Sequence, residues 1–182
     1  MSDELLIRHC APTMANIKTG SLFSGTFSSE TEMINDIRRL NQRLKNKGIR
    51  ILPMNYKDGR GLIYVYRPRR LSHDLQDGEA CRILRSCGYS CNDENFCLRR
   101  LICRIRQEGD FPHEIGLFLG YPPADVDGFI NHKSDCKYCG QWKVYGDVES
   151  AKSCFARYRK CTDLYCRQWQ QGKDIERLTL AV

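Results

Sequence analysis

The spacing of apolar residues predicts an amphipathic helix in the first third of the chain. Apolar side chains recur there at steps of one, three and four positions: Met33, Ile34, Ile37, Leu40 and Leu44. Steps of this size place them on one face of a helix. Ser28 or Ser29 is positioned to cap its start, and Gly48 to end it. A short N-terminal segment precedes it.

A β-hairpin is predicted directly after this helix. Residues 49–52 and 62–66 are rich in β-branched and aromatic side chains, and residues 57–61 between them contain two glycines. Two such runs joined by a glycine-containing turn are typical of a hairpin. Pro68 is expected to close the second strand, because proline cannot continue a strand ladder.

The apolar pattern of the second half of the chain predicts three further helices, two strands and a long last helix. The helices are expected at residues 72–87, 93–107 and 124–130, the strands at residues 115–121 and 142–145, and Asp147 is expected to cap the last helix. The run at 115–121 is almost wholly apolar, which favours a central strand buried on both faces. We therefore expect an α/β or α+β fold, a single domain over residues 1–182, with a central sheet of about four strands flanked by helices.

Charge and cysteine content narrow the class of protein. No apolar run is long enough for a membrane helix, and the first residues do not resemble an export signal, so we expect a cytoplasmic protein with no membrane partner. The 11 cysteines are then reduced thiols. The net charge of +7 indicates a solvated basic face, and the absence of a nucleic-acid-binding motif argues against nucleic acid as the partner.

Three sequence blocks resemble an uncharacterised family from anaerobic Gram-positive bacteria. The central block is residues 113–122 (HEIGLFLGYP) with Asp125, Val126 and residues 128–130 (GFI). The other two are residues 139–145 (CGQWKVY) and residues 9–13 (HCAPT). The resemblance implies a setting of iron homeostasis or redox chemistry and no defined activity. Most of the cysteines fall outside these blocks.

Residues 113–120 also resemble the histidine strand of papain-like cysteine peptidases of the NlpC/P60 type. That resemblance implies a thiol-dependent hydrolase or acyl transferase acting on an amide or thioester of an unknown small molecule or peptide. Cys10 would be the nucleophile, His113 the base, and Gln141 or Asp147 the group that orients the imidazole. The alternative is that Cys10 is a buried thiol and that His113 hydrogen-bonds backbone.

A short cysteine motif supports a different function. Cys136 and Cys139 have the Cys-x-x-Cys-Gly spacing of a metal-binding knuckle, and His132 is a candidate third ligand for zinc or iron. Cys87 and Cys91 could complete a site only if the fold brings them close. A third hypothesis is a non-catalytic interaction module whose basic face meets an acidic partner. The sequence leaves these three functions open, and with them the question of whether the protein is an enzyme.

Overall fold

A computed structural model gives the positions of residues 1–90, 93–107 and 110–181. These residues form a mixed α/β fold, as the sequence predicts. The elements in chain order are α1 (Asp3–Met14), β1 (Gly20–Thr26), α2 (Glu30–Leu44), β2 (Arg50–Lys57), β3 (Arg60–Tyr66), α3 (Pro68–Leu75), α4 (Gly78–Ser86), α5 (Glu94–Arg106), α6 (Ile115–Phe118), α7 (Pro123–Asn131), β4 (Tyr138–Cys139), β5 (Lys143–Val144), α8 (Val148–Gln170) and α9 (Ile175–Leu178). Within the described residues, no helix combines the length and apolar character needed to cross a bilayer.

The chain divides into two compact units. The first unit comprises Met1–Arg69 and Tyr158–Val182, and the second unit comprises Arg70–Arg157. The strands divide in the same way, because the first unit contains a three-stranded sheet and the second a two-stranded one. In the described residues the strands therefore form two small sheets, in place of the one central sheet of about four strands that the sequence predicts. That the whole chain is one domain stays a prediction from the sequence.

The first unit contains the predicted hairpin. β3 lies between β1 and β2 and pairs antiparallel with both. The turn between β2 and β3 is Asp58-Gly59, whose φ angles of 51° and 75° are those of a two-residue hairpin turn with both central residues in the left-handed region. Pro53 lies in β2, an edge strand of this sheet, where a missing N–H is tolerated.

The predicted amphipathic helix is confirmed as α2. Ser29 accepts a hydrogen bond from the Glu32 N–H at 3.1 Å, and Gly48 takes a left-handed φ of 68° after a short 3-10 turn. The Asn41 side chain accepts a hydrogen bond from the Ile51 N–H at 2.9 Å and donates one to the Ile51 carbonyl at 2.8 Å. These two bonds hold α2 against β2.

The start and end of the chain hold elements that the periodicity does not predict. α1, β1 and α9 all contribute to the first unit, and α1 supplies a large part of its core. Leu6 and Cys10 of α1 pack there with Leu40 of α2, Ile63 of β3 and Tyr165 of α8. The segment before α2 is thus part of the folded core.

In the second unit most of the predicted helices are confirmed, with one divided in two. The helix expected at 72–87 is interrupted before Asp77, whose carboxylate accepts hydrogen bonds from the Glu79 and Ala80 N–H groups and so starts α4. Asp93 caps α5 in the same manner, and Asp147 lies at the start of α8 as expected. The strand expected at 142–145 is present as the shorter β5.

The prediction of a buried strand at 115–121 is wrong, because this run forms the short helix α6. Gly120 has a left-handed φ of 75°, the Tyr121 N–H donates to the Gly116 carbonyl at 2.9 Å, and the Gly120 N–H donates to the Leu117 carbonyl at 3.1 Å. This pair of bonds is the Schellman arrangement that ends a helix. His113 therefore precedes a helical turn and not a strand.

A buried arginine joins three segments of the first unit. The Arg67 side chain is 2% exposed, and its guanidinium donates to the Thr13 carbonyl at 2.8 Å and to the carbonyls of Met14 and Lys47. The Arg67 N–H donates to the Thr19 carbonyl at 2.9 Å. Two of the side-chain acceptors lie at the C-terminal end of α1, where the helix dipole favours a positive charge.

We expect Arg67→Met to lower the free energy of unfolding by at least about 3 kcal/mol, because it leaves several buried carbonyls without their donor. Urea denaturation followed by far-UV circular dichroism measures the change. Arg69→Met is the matched control, since Arg69 is exposed, and should change stability by less than about 0.5 kcal/mol. Equal effects of the two substitutions would contradict this account of Arg67.

Candidate functional site

The second unit contains a cavity of about 230 Å³. α6, α7 and the segment around β5 supply its walls, together with the chain before α6. Its lining is mainly aromatic and aliphatic, with a few polar side chains: Phe111, His113, Ile115, Gly116, Tyr121, Asp125, Val126, Phe129, Gln141, Trp142 and Lys143. An apolar concave site with a few polar groups is the usual form of a small-molecule site.

Two pairs of aromatic rings shape the cavity. Tyr121 and Trp142 stack with ring centroids 4.5 Å apart, and His113 meets Phe129 edge to face at 4.8 Å. The Lys143 ammonium lies 5.4 Å from the centroid of the Phe129 ring. Burial raises the pKa of Tyr121 above its usual value. The walls thus offer flat apolar surfaces with a cation beside them.

The Asp125 carboxylate positions the cavity wall that Trp142 forms. Asp125 is 3% exposed and accepts hydrogen bonds from Trp142 Nε1 at 2.7 Å and from the Tyr145 and Gly146 N–H groups at 2.8 Å each. α7 is thereby joined to β5 and to the turn that follows it. Gly128, one turn along α7, lets the Tyr145 ring lie directly against the helix, since a Cβ there would collide with that ring.

Replacement of Asp125 should destabilise the protein, and alanine should do so more than asparagine. Asp125→Asn can keep an oxygen toward the Tyr145 and Gly146 N–H groups but turns an amino group toward Trp142 Nε1, so we expect a loss of about 1–3 kcal/mol. Asp125→Ala removes all three acceptor contacts, and its loss should be larger. Thermal and urea unfolding measure both, with Asp135→Asn, at an exposed position, as the control. If Asp125→Asn is as stable as the control variant, the hydrogen bond from Trp142 Nε1 to Asp125 does not stabilise the protein as we infer.

Glu114, next to His113, is the buried member of an ion pair with the half-buried Arg104. It is 2% exposed, accepts a hydrogen bond from the Tyr89 hydroxyl at 2.7 Å, and lies 2.8 Å from Arg104 Nε. Burial, followed by the hydrogen bond to Glu114, raises the pKa of Tyr89 well above its usual range. The Glu114 side chain therefore does not point to solvent. It helps to hold in place the chain segment that carries His113.

Two of the four predicted catalytic residues line the cavity. His113 and Gln141 both contribute to its wall, whereas Asp147 is absent from the described lining. The Asp147 carboxylate instead caps α8, where it accepts from the Glu149 and Ser150 N–H groups at 3.0 and 3.1 Å. Hydrogen bonds from Ser150 lower its pKa. Asp147 is thus engaged in starting a helix.

Cys10 does not have the surroundings of a nucleophile. It lies in the C-terminal half of α1, where the helix dipole opposes a thiolate, and its side chain is 0% exposed. Burial raises the pKa of the Cys10 thiol to about 12. It belongs to the first unit and His113 to the second. These properties are those of a buried structural thiol, the alternative that the sequence leaves open.

The Cys10 thiol should therefore resist alkylation in the native protein. A thiol with a pKa near 12 is almost wholly protonated up to about pH 9, and only the thiolate reacts. We expect iodoacetamide at pH 8 to modify the exposed Cys139 and to leave Cys10 unmodified, as read by peptide mass spectrometry. Both should react in denaturant. Native labelling of Cys10 at the rate of Cys139 would restore it as a candidate nucleophile.

The predicted metal ligands come together only in part. Cys136 and Cys139 have their sulfur atoms 3.7 Å apart, while His132 is an exposed residue at the end of α7. In the part of the chain that the structure describes, no group of three or more His, Cys, Asp or Glu side chains is arranged to hold a metal ion. The hydrogen bond with Cys136 raises the pKa of Cys139, and Lys143 acts in the opposite direction. Cys91 lies outside the described residues.

The remaining predictions concern the other cysteines and the basic face. All ten cysteines that the structure describes are free thiols. Of the arginines on α5, Arg99 and Arg106 are exposed and Arg100 is half-buried. An acidic partner for this surface stays a prediction.

Comparison with known proteins identifies the family. Residues 6–179 match the family described as "Protein of unknown function (DUF3793)". The chain belongs to this family. The expected membership of an uncharacterised family is thereby confirmed, and the match includes all residues of the cavity wall. No curated protein and no solved structure matches the chain. The resemblance to papain-like peptidases receives no support from these comparisons.

Sequence reasoning missed most of the cavity wall. Trp142 is half-buried and lines the cavity, and neither Trp142 nor Asp125 is among the predicted site residues. The sequence blocks that resemble the family contain both Trp142 and Asp125. Their pattern does not show which residues line a cavity and which pack in the core. One available signal is the position of Pro122 two residues after Gly120, which is typical of a helix end and would have placed α6 correctly.

Proposed function

We propose that the second unit binds a small planar organic anion, an aromatic or heteroaromatic ring that carries a carboxylate. The observation that carries this proposal is the convergence of stacked aromatic walls and the Lys143 ammonium on one cavity. Aromatic walls select a flat apolar ring, and a cation beside them selects negative charge.

The size of the cavity supports a ligand of one or two rings. An apolar cavity of about 150 Å³ holds a benzene molecule. The cavity of about 230 Å³ is larger, so a substituted or bicyclic ring fits. His113 and Gln141 provide additional hydrogen-bonding groups at the wall, and either nitrogen of a neutral imidazole serves as donor or acceptor according to its tautomer.

This proposal replaces thiol catalysis as the function that the geometry supports best. A nucleophile at Cys10 would need an accessible thiolate, and that thiol is buried with a raised pKa. His113 and Gln141 keep a role as ligand-contacting groups rather than as parts of a cysteine triad. The hypothesis of a basic interaction face concerns a different surface and stays separate.

A matched pair of probes tests the proposal. We expect 2-naphthoate to bind the full chain, as observed by saturation-transfer NMR and calorimetry, and its neutral analogue 2-naphthamide to bind more weakly. Lys143→Gln should weaken naphthoate binding by about tenfold and leave naphthamide binding unchanged, because it removes one charge-assisted contact. Trp142→Ala should weaken both, since it removes a wall.

Lys152→Gln is the matched control for Lys143→Gln. Lys152 belongs to the same unit, is exposed, and is absent from the described cavity lining. Its replacement should leave both affinities unchanged. The proposal fails if neither probe binds, if naphthamide binds as tightly as naphthoate, or if the two lysine substitutions have equal effects.

A further inference from the structure

The cysteine pair of the second unit lies at a small hairpin. Cys139 is in β4 opposite Lys143 of β5, and Cys136 precedes the strand. Backbone hydrogen bonds from the Lys137 N–H to the Val144 carbonyl at 2.9 Å and from the Gly140 N–H to the Trp142 carbonyl at 3.0 Å hold the two sides together. Each cysteine thus adjoins a residue whose N–H is bonded across the hairpin.

Packing beneath the hairpin restricts it further. A Cβ at Gly140 would collide with the Phe155 ring, so only glycine lets the backbone approach that ring so closely. Trp142, in the turn between the strands, meets the same Phe155 ring edge to face at 4.4 Å. The hairpin that carries the thiols therefore rests on a fixed aromatic base. Preorganised ligands of this kind favour binding, because little conformational freedom is lost.

The distance between the two sulfur atoms is that of two ligands on one tetrahedral ion. With zinc–sulfur bonds of about 2.3 Å, two thiolates at tetrahedral angles lie about 3.8 Å apart. A disulfide would instead place the sulfurs about 2.05 Å apart. The observed separation of Cys136 and Cys139 is 3.7 Å.

We propose that Cys136 and Cys139 bind a thiophilic divalent cation such as Zn²⁺ as two thiolate ligands, with the other coordination positions open to solvent. Each thiol releases its proton to the buffer as its bond to the metal forms, and the metal keeps its oxidation state. Lys143 is paired with Cys139 across the hairpin, so a cationic residue neighbours the proposed site.

Coordination positions of the metal stay open to solvent because the cysteine pair lies at the surface. Cys139 is exposed and Cys136 is half-buried, and within the described ranges no third His, Cys, Asp or Glu side chain joins them in a metal-binding group. Water or a small ligand in solution then completes the coordination. Such a site exchanges its metal readily, in contrast to a closed structural zinc site with four protein ligands. His132 has no part in it.

Cobalt(II) is the probe that tests this site, because tetrahedral thiolate coordination gives intense visible and charge-transfer absorption and octahedral coordination by water does not. We expect reduced full-length protein under anaerobic conditions to develop the tetrahedral spectrum on titration with Co²⁺. Addition of Zn²⁺ should abolish it by displacement. Cys136→Ser and Cys139→Ser should each remove the thiolate absorption, with far-UV circular dichroism confirming that the fold is retained.

Cys103→Ser is the matched control, since Cys103 is an exposed thiol of the same unit outside the hairpin. Its spectrum should equal that of the unaltered protein. The proposal is overturned if the tetrahedral spectrum fails to appear, if it persists in either hairpin variant, or if Cys103→Ser removes it. Formation of a Cys136–Cys139 disulfide under the same reducing conditions would also overturn it.

Discussion

The candidate site depends on a single buried carboxylate. Asp125 belongs to α7, and its oxygens accept from a tryptophan side chain and from two backbone N–H groups beyond β5. A charged group so deeply buried is tolerated only when donors surround it. The same three bonds align Trp142 as a cavity wall and close the turn after the thiol-bearing hairpin. The hydrogen bonds of Asp125 thus stabilise both the cavity and the hairpin.

The first unit also contains a buried charged side chain surrounded by backbone groups, here with a positive charge. Arg67 is buried, and backbone carbonyls at the end of α1 and near Lys47 surround its guanidinium. In both units a buried ion satisfies backbone groups that would otherwise lose their hydrogen bonds. The two residues differ in what they hold in place. Arg67 joins elements of the core, whereas Asp125 orients a side chain that faces a cavity.

Much of the fold could be predicted because its signals are local. The α2 helix has both a regular apolar stripe and capping residues at its ends, and the Asp58-Gly59 turn determines the hairpin by its backbone angles. The wrong strand at 115–121 shows the limit of such signals. A short apolar run is compatible with a buried strand or a buried helix, and periodicity alone cannot separate them. In the structure the run is a helical turn that ends at the left-handed Gly120.

The sequence by itself determined the mixed α/β class, most helices, the hairpin and the spacing of Cys136 and Cys139, because caps, turns and periodicity act over a few residues. Only the tertiary structure decided that His113 and Gln141 meet at one cavity and that Cys10 is buried. Burial, pKa and cavity shape depend on segments that are distant in the chain. No pattern within any one segment specifies which others will pack against it.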